Sequence, residues 1–444
     1  MMKPHYLMYL AFFFLSLDNF PFMFGTAYKP VSLLFLVMYF TIKIPEIIRL
    51  EWKRMELFIF FTIMLSFVIS AVMIGFNNYS LDGLFDSVTS FLAGVIIYLA
   101  IKHFIMKTQL EVRLKSLEML LYGYTIPVFI GLLQVIYIYV APLGFIEHIT
   151  SLFVARTDYI NTGRVHFTFS EPSFTSIHTN LIMIPSLFIL NKFKPINRCI
   201  KGIVILFFIL SLLTLSVRYY MDITFALIVY FILYLRVKNI FKLFFLVPAL
   251  VGILVVVINF TGSSKDSYHV QRFMKVMENP EEIVSDPSFQ IRNTYSSIGY
   301  NAFLDNKLVG VGIGNYVDYY KKNLPTVNHD YKKFPELINA REHSNVIAQY
   351  NMYTRLLSEM GIMGLIIILL MTGILITLRN DRYKLFISIL LIWTLIQFDS
   401  FAFIPMYLIL CLNSKNWNEE GSMKKFENKN NYLNIRNKHF SSAL

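Results

Sequence analysis

LFDSVTSFLAGVIIYLAIKHFI (residues 84–105) and MLLYGYTIPVFIGLLQVIYIYVAPL (residues 119–143) decide the fold class. Each is a run of roughly 20 mostly apolar residues, the length a helix needs to cross the hydrocarbon core of a bilayer. Lys102, Lys107, Arg113 and Lys115 mark the junction between them. Similar runs recur about every thirty residues along the chain. Spans are predicted near Tyr6–Phe24, Val31–Ile48, Leu57–Ile74, Leu84–Ile105, Met119–Leu143, Phe174–Leu190, Ile200–Leu215, Met221–Leu235 and Leu243–Phe260. After a long polar stretch come Leu356–Leu378, Leu385–Gln397 and Phe401–Leu412, the last two short enough to form a re-entrant pair.

Composition supports this reading. Only 15% of the 444 residues are charged, whereas soluble domains run near roughly a quarter, so a water-soluble enzyme is excluded. The aromatic share of 16% suits lipid-facing helices and interfacial belts. Cys199 and Cys411 cannot build a disulfide framework, and no Cys/His spacing matches a zinc site. The expected fold is an all-α polytopic membrane protein with about twelve transmembrane helices.

The net charge of +12 would suit a nucleic-acid partner if it were clustered on one soluble face. Instead it alternates. Connections at Lys43–Arg54, Lys102–Lys115, Lys192–Lys201, Arg236–Lys242 and Arg379–Lys384 are basic, as are Lys3 and the tail. Together they hold 25 cations, against Lys29, Arg156, Arg164 and Arg218 in the short connections of the other side. The positive-inside rule then places both termini in the cytoplasm, and no nucleic acid is expected. Lys3 and the apolar stretch after it could pass for a signal peptide. Asp18, Asn19 and Pro21 replace a small-residue cleavage site, so a first helix is the preferred reading.

Two outer segments exceed mere connections, Ala141–Ser170 and Thr261–Tyr353. The second carries ten Lys/Arg and ten Asp/Glu, with helical-looking stretches at His269–Met277 and Gln290–Phe303. A small folded helical cap is expected there. The domain reading is therefore residues 1–260 as helices one to nine, 261–353 as the extracytoplasmic loop, 354–412 as helices ten to twelve, and 413–444 as a basic cytoplasmic tail.

Three polar constellations stand out. In Arg164-Val-His166-Phe-Thr-Phe-Ser-Glu171-Pro172-Ser173, Ser170 or Glu171 makes a reasonable helix start before proline. Glu171 is then either a cap or, as an ionisable residue at the membrane, a functional group. His178, further in, reads as an interhelical hydrogen-bonder. The second constellation opens with Arg292, a surface charge or a ligand, and runs to Leu308–Asn315 with Gly310, Gly312 and Gly314. That spacing is not GxGxxG, so a turn with positive-φ glycines is the plainer reading than a dinucleotide loop. The third holds Arg341, Glu342, His343 and then Asn351–Gly364, in which Arg355 and Glu359 are spaced to pair and Gly361 and Gly364 to pack closely.

Taken in order, these residues resemble the O-antigen polymerase and O-antigen ligase superfamily of bacterial envelope glycosyltransferases. The shared pattern is Arg164 with Phe169-Ser170-Glu171-Pro172-Ser173, then Arg292 with the glycine turn Leu308–Asn315, then Asn351–Gly364 leading into a helix. The resemblance covers roughly Tyr6–Leu412. The Glu-Pro-Ser form is more similar to the repeat-unit polymerases, and Tyr350 stands where ligases typically have a histidine.

The resemblance implies a multi-pass protein of the bacterial inner membrane. It would transfer a glycan from undecaprenyl diphosphate to the sugar hydroxyl of another lipid-linked repeat unit, toward O-antigen, capsule or exopolysaccharide. Arg164, Arg292 and Arg341 are then expected to clamp the diphosphate and glycan, arginine being suited by its bidentate fork. Glu171 is the expected base or acceptor-positioning acid. His343, Ser173, Asn351 and Glu359 are expected substrate contacts. No cofactor is expected, and the absence of any Asp-x-Asp argues for metal-independent chemistry. The expected partners are undecaprenyl-diphosphate-linked oligosaccharide, membrane lipid, a chain-length regulator and a repeat-unit flippase.

The nearer alternative is a ligase transferring polymer to lipid A–core. A transporter is more distant, since it should carry mid-membrane ionisable groups and often two similar halves. A receptor or scaffold would explain the cap but not the polar clusters at its edges.

Overall fold

The computed structural model describes residues 3–23, 28–77, 79–155, 163–234, 271–272, 275, 278–378 and 380–415. Among them the regular structure is helical, and the extended pairing is an isolated bridge between Asn19 and Lys29. In chain order the helices are α1 (His5–Phe13), α2 (Ser32–Ile47), α3 (Arg54–Asn77), α4 (Asp82–Lys107), α5 (Leu110–Gly123), α6 (Thr125–Tyr139) and α7 (Gly144–Ser151). Then follow α8 (Phe174–Phe193), α9 (Arg198–Ser211), α10 (Val217–Tyr234), α11 (Pro287–Asp305), α12 (Tyr316–Val327) and α13 (Pro335–His343). The last are α14 (Met352–Met360), α15 (Ile362–Leu378), α16 (Arg382–Leu395) and α17 (Ile404–Ser414).

Five helical stretches among the described residues are long and apolar enough to cross a membrane: Arg54–Phe76, Asp82–Lys107, Leu110–Tyr139, Phe174–Phe193 and Val217–Tyr234. Helices satisfy their backbone groups internally, which lipid demands because it offers no hydrogen bonds. The chain is an all-α integral membrane protein. The expected span at Leu243–Phe260 and the tail from 416 lie outside the described residues, as does most of His269–Met277.

Three boundaries differ from the sequence reading. The first helical stretch stops at Ser16 instead of running to Phe24, because the chain turns extended at Asp18 and Asn19 to meet Lys29. The fifth predicted span starts earlier, at Leu110, so that Arg113 and Lys115 lie inside the helical stretch Leu110–Tyr139. The predicted helix Leu356–Leu378 breaks at Gly361, whose φ of 59° only glycine adopts without strain.

Two apolar cores fill the membrane region, one centred on α1, α4, α5 and α9, the other on α8, α14 and α16. A third, tyrosine-rich core of Tyr295, Ile298, Tyr316, Tyr320, Leu324, Leu337 and Ala340 unites α11, α12 and α13 as the cap. Helix α11 lies on α14, brought close at Gly299, where a Cβ would meet Gln349 Oε1 at 2.4 Å. The glycine turn does not form a nucleotide loop. Gly310, Gly312 and Gly314 have φ of 68°, 90° and 84°, and the turn docks on α3 and α4 through Ile313 N–H to Ser70 Oγ and the close approach of Gly314 to Gly83. That docking fixes the glycine turn, and the cap helices it joins, against α3 and α4.

Candidate functional site

The segment before α8 is shaped by one buried side chain. Gln134, on α6, accepts from the His166 and Phe167 amides at 2.9 Å each and donates to the Phe167 carbonyl at 2.9 Å. A buried amide thus replaces the partners this irregular backbone would otherwise lack. Thr168 Oγ1 donates to the Ser16 carbonyl at 2.7 Å, and the Val165 amide to the Leu213 carbonyl at 3.3 Å. Phe169 stacks on His178 with ring centres 4.0 Å apart. His178 in turn bridges Tyr124 OH at 3.0 Å and Asp18 Oδ2 at 3.2 Å, an interhelical hydrogen-bonding role. Glu171 and Pro172 follow, and Ser173 is the N-cap of α8 without a side-chain capping bond.

Beside this segment lies a cavity of about 260 Å³. Among the described residues four arginines line it: Arg164, Arg218, Arg272 and Arg292. Glu171, Ser173, Glu336 and Tyr350 complete its polar wall. Arg164 donates through Nε to the Thr214 carbonyl at 2.9 Å. Burial, and next the neighbouring Arg272 guanidinium, lower its pKa to about 10, against the pull of Glu171 and Asp286, so it stays charged at neutral pH. Arg272 forms a two-bond pair with Asp286, Nη2 to Oδ1 at 2.7 Å, and Asp286 also caps α11 by accepting from the Phe289 amide. Arg292, one turn into α11, reaches Glu171 Oε2 at 3.3 Å, and its guanidinium carbon stands 5.6 Å from the Tyr350 ring centre. Ser173 Oγ donates to the same Glu171 oxygen at 3.0 Å. Burial, then Glu336 and Glu171, raise the Tyr350 phenol above its ordinary value, so it remains an O–H group.

Backbone strain gathers here. Among the described residues the non-glycine positions with positive φ are Phe167, Leu215 and Tyr350, at 55°, 45° and 56°. Leu215 and Tyr350 line the cavity, and Phe167 adjoins His166, which also does. Such conformations cost about 1–3 kcal/mol each and persist where surrounding packing enforces them, often at functional sites.

Of the residues singled out from sequence, Arg164, Glu171, Ser173 and Arg292 meet in this cavity. Arg341 is not in its lining; Nη1 donates to Tyr331 OH at 2.6 Å and the guanidinium covers the Tyr331 ring within the cap. His343 is largely exposed, its side chain 72% accessible beside Glu342. Asn351 caps α14, its Oδ1 accepting from the Tyr353 and Thr354 amides. Glu359 is buried, paired with Arg355 at 3.0 Å and accepting from the Gly314 amide, so it ties the glycine turn to α14. Arg218 and Arg272 enter the cavity although neither falls in a shared motif. The signal for Arg218 is in the sequence: an arginine followed four residues later by Asp222 at the start of an otherwise apolar helix.

Four guanidiniums at one concave surface suit a polyanion, and a carboxylate with a hydroxyl beside it suits a sugar hydroxyl. A search of the curated proteins gives no match. Residues 202–369, which hold α10, the cap and the start of α15, match the family model described as O-Antigen ligase (Wzy_C), in agreement with the O-antigen polymerase and ligase superfamily that the motifs resemble.

Proposed function

We propose that this protein polymerises lipid-linked oligosaccharide repeat units on the outer face of the plasma membrane. The acceptor hydroxyl of one unit attacks the anomeric carbon of a glycan carried on undecaprenyl diphosphate. A new C–O bond forms while the bond to the diphosphate oxygen breaks, and the electron pair leaves with the diphosphate. Glu171 takes the hydroxyl proton or holds the hydroxyl in line, with Ser173 fixing its carboxylate. Arg164, Arg218 and Arg292 hold the negative charge that grows on the leaving group. Arg341 belongs to the packing of the cap in this proposal, and no divalent metal takes part.

The observation that carries the reading is the meeting of Arg164, Arg218 and Arg292 with Glu171 in one cavity. At about 260 Å³ it falls just below the usual range of ligand sites, roughly 300–1,000 Å³, which suits the reacting ends of two chains rather than a whole glycan. The lipid tails would remain between the helices, entering laterally.

The description of the matched family keeps a second reading in view, transfer of finished polymer to lipid A–core by the same chemistry. A gel of envelope polysaccharide from a deletion strain separates the two. Loss of a polymerase leaves single capped units, whereas loss of a ligase leaves long polymer on the carrier lipid. The second pattern would overturn the polymerase proposal.

A further inference from the structure

Arg218 is 8% exposed and lines the cavity, yet its Nε and Nη2 make no hydrogen bond. Its nearest carboxylate is Asp222, one turn along α10, with Oδ2 3.5 Å from Nε. That gap is longer than a charge-assisted bond, typically about 2.7–2.9 Å. The reason lies on the far side of the carboxylate. Asp222 Oδ1 accepts from Trp393 Nε1 at 2.6 Å, in the last turn of α16, and from Gln397 Nε2 at 3.2 Å, two residues past its end. Trp393 is itself fixed by stacking on Phe225, ring centres 4.1 Å apart at 14°. Asn180, in the π-helical turn His178–Met183 of α8, donates to the Asp222 carbonyl at 3.3 Å.

Leaving donors of a buried cation unmade is costly, so a carboxylate this near would ordinarily close on them. Here two anchors hold it back. We propose that Asp222 is a positioning residue for anion binding: tethered by Trp393 and Gln397, it balances and orients Arg218 without locking the guanidinium, which can turn its buried donors to a diphosphate. This rests on the reading of the cavity as a diphosphate site. Trp393 and Gln397 thereby act on substrate affinity from the other end of the chain, outside the matched region.

The direction of one effect discriminates the roles. A carboxylate acting only through its charge repels an anion, so removing that charge would tighten binding. A carboxylate that positions Arg218 does the reverse. The test is inorganic pyrophosphate binding to the detergent-purified full chain, followed by calorimetry and by the rise in melting temperature. Arg218→Ala should weaken binding about 30-fold or more, and Asp222→Asn about tenfold, the isosteric amide keeping the side-chain volume. The double variant should bind no more weakly than Arg218→Ala alone, because Asp222 acts through Arg218. Trp393→Phe keeps the stacking ring, removes one tether and should cost about threefold to tenfold as Asp222 swings onto Arg218. Tighter binding by Asp222→Asn, or losses that add in the double variant, would overturn the proposal. If Asp222→Asn does not fold, unchanged affinity in Trp393→Phe overturns it instead. If the wild-type chain binds no pyrophosphate, or Arg218→Ala binds it normally, the diphosphate reading of the cavity fails first.

Discussion

Arg292 Nη2 donates to Glu171 Oε2 at 3.3 Å across 121 positions of sequence, joining the cap helix α11 to the segment that opens α8. Both side chains are about one-third exposed, 30% and 33%, so solvent screens the pair. An ion pair of this kind contributes about 0–1 kcal/mol to stability. Such a contact opens at little cost, which suits the proposed roles, the cation turning to a diphosphate and the carboxylate to a hydroxyl.

Replacing Glu171 by Gln keeps the shape and the Ser173 hydrogen bond but removes the proton acceptor. If the carboxylate is the base, transfer to a lipid-linked acceptor falls about 10²- to 10⁴-fold with the donor still bound. Ser173→Ala, which loses only the hydroxyl that steadies the carboxylate, should cost no more than about tenfold. Single-turnover transfer with purified protein measures both, and wild-type rates in Glu171→Gln would remove it from the reaction.

Topology is testable without the substrate. From the charge asymmetry, Thr261–Tyr353 is expected outside and the chain beyond Leu412 inside. Alkaline phosphatase fused near Asn328 should be active, and fused near Lys415 inactive. The reverse pattern would put the cavity on the wrong face for a lipid-linked donor exported across the membrane.

Metal-independent transfer is expected, because the sequence holds no Asp-x-Asp and arginines line the cavity. With fixed cations at the leaving group, chain growth by the purified protein should survive EDTA at a concentration that strips magnesium and manganese. Activity lost to EDTA and restored by either ion would assign the charge neutralisation to a metal.

How far the sequence goes can be seen at single residues. The helical class was legible because lipid leaves the backbone few options, and apolar runs of span length record that demand directly. The early stop of the first helical stretch was half legible. Asp18, Asn19 and Pro21 speak against a cleavage site and are poor helix formers, but the pairing of Asn19 with Lys29 that gives the break its shape is a tertiary event. Asn351 carries two signals at once: an asparagine ahead of a helix is a capping signal, which the structure bears out, while its place in the shared pattern points to substrate. Arg218 matches no motif. Its convergence with Arg164 and Arg292 depends on how α10 and α11 lie against the segment before α8, which no spacing rule encodes.

The sharpest comparison is between two arginines that the sequence offers alike as clamp residues. Arg292 lines the cavity beside Glu171 and Tyr350, while Arg341 lies on Tyr331 within the cap. Lysine in place of either keeps the charge and loses the planar fork. At Arg292 the loss falls on a group proposed to bind the leaving diphosphate as charge develops. Such a contact is worth on the order of 2–4 kcal/mol in the transition state, or roughly 30- to 1000-fold in rate. At Arg341 the same change removes a hydrogen bond to a phenol and a stacked contact, which costs about 1 kcal/mol of cap stability and leaves the rate within a few-fold. Both variants should be compared at matched membrane expression, scored by polymer length and by the melting temperature of the purified protein. Short polymer with a normal melting temperature is the outcome expected for Arg292→Lys, and near-normal polymer with a slightly lowered melting temperature for Arg341→Lys. If the two exchange places, the reaction lies in the cap around Tyr331 and not in the cavity at the head of α8.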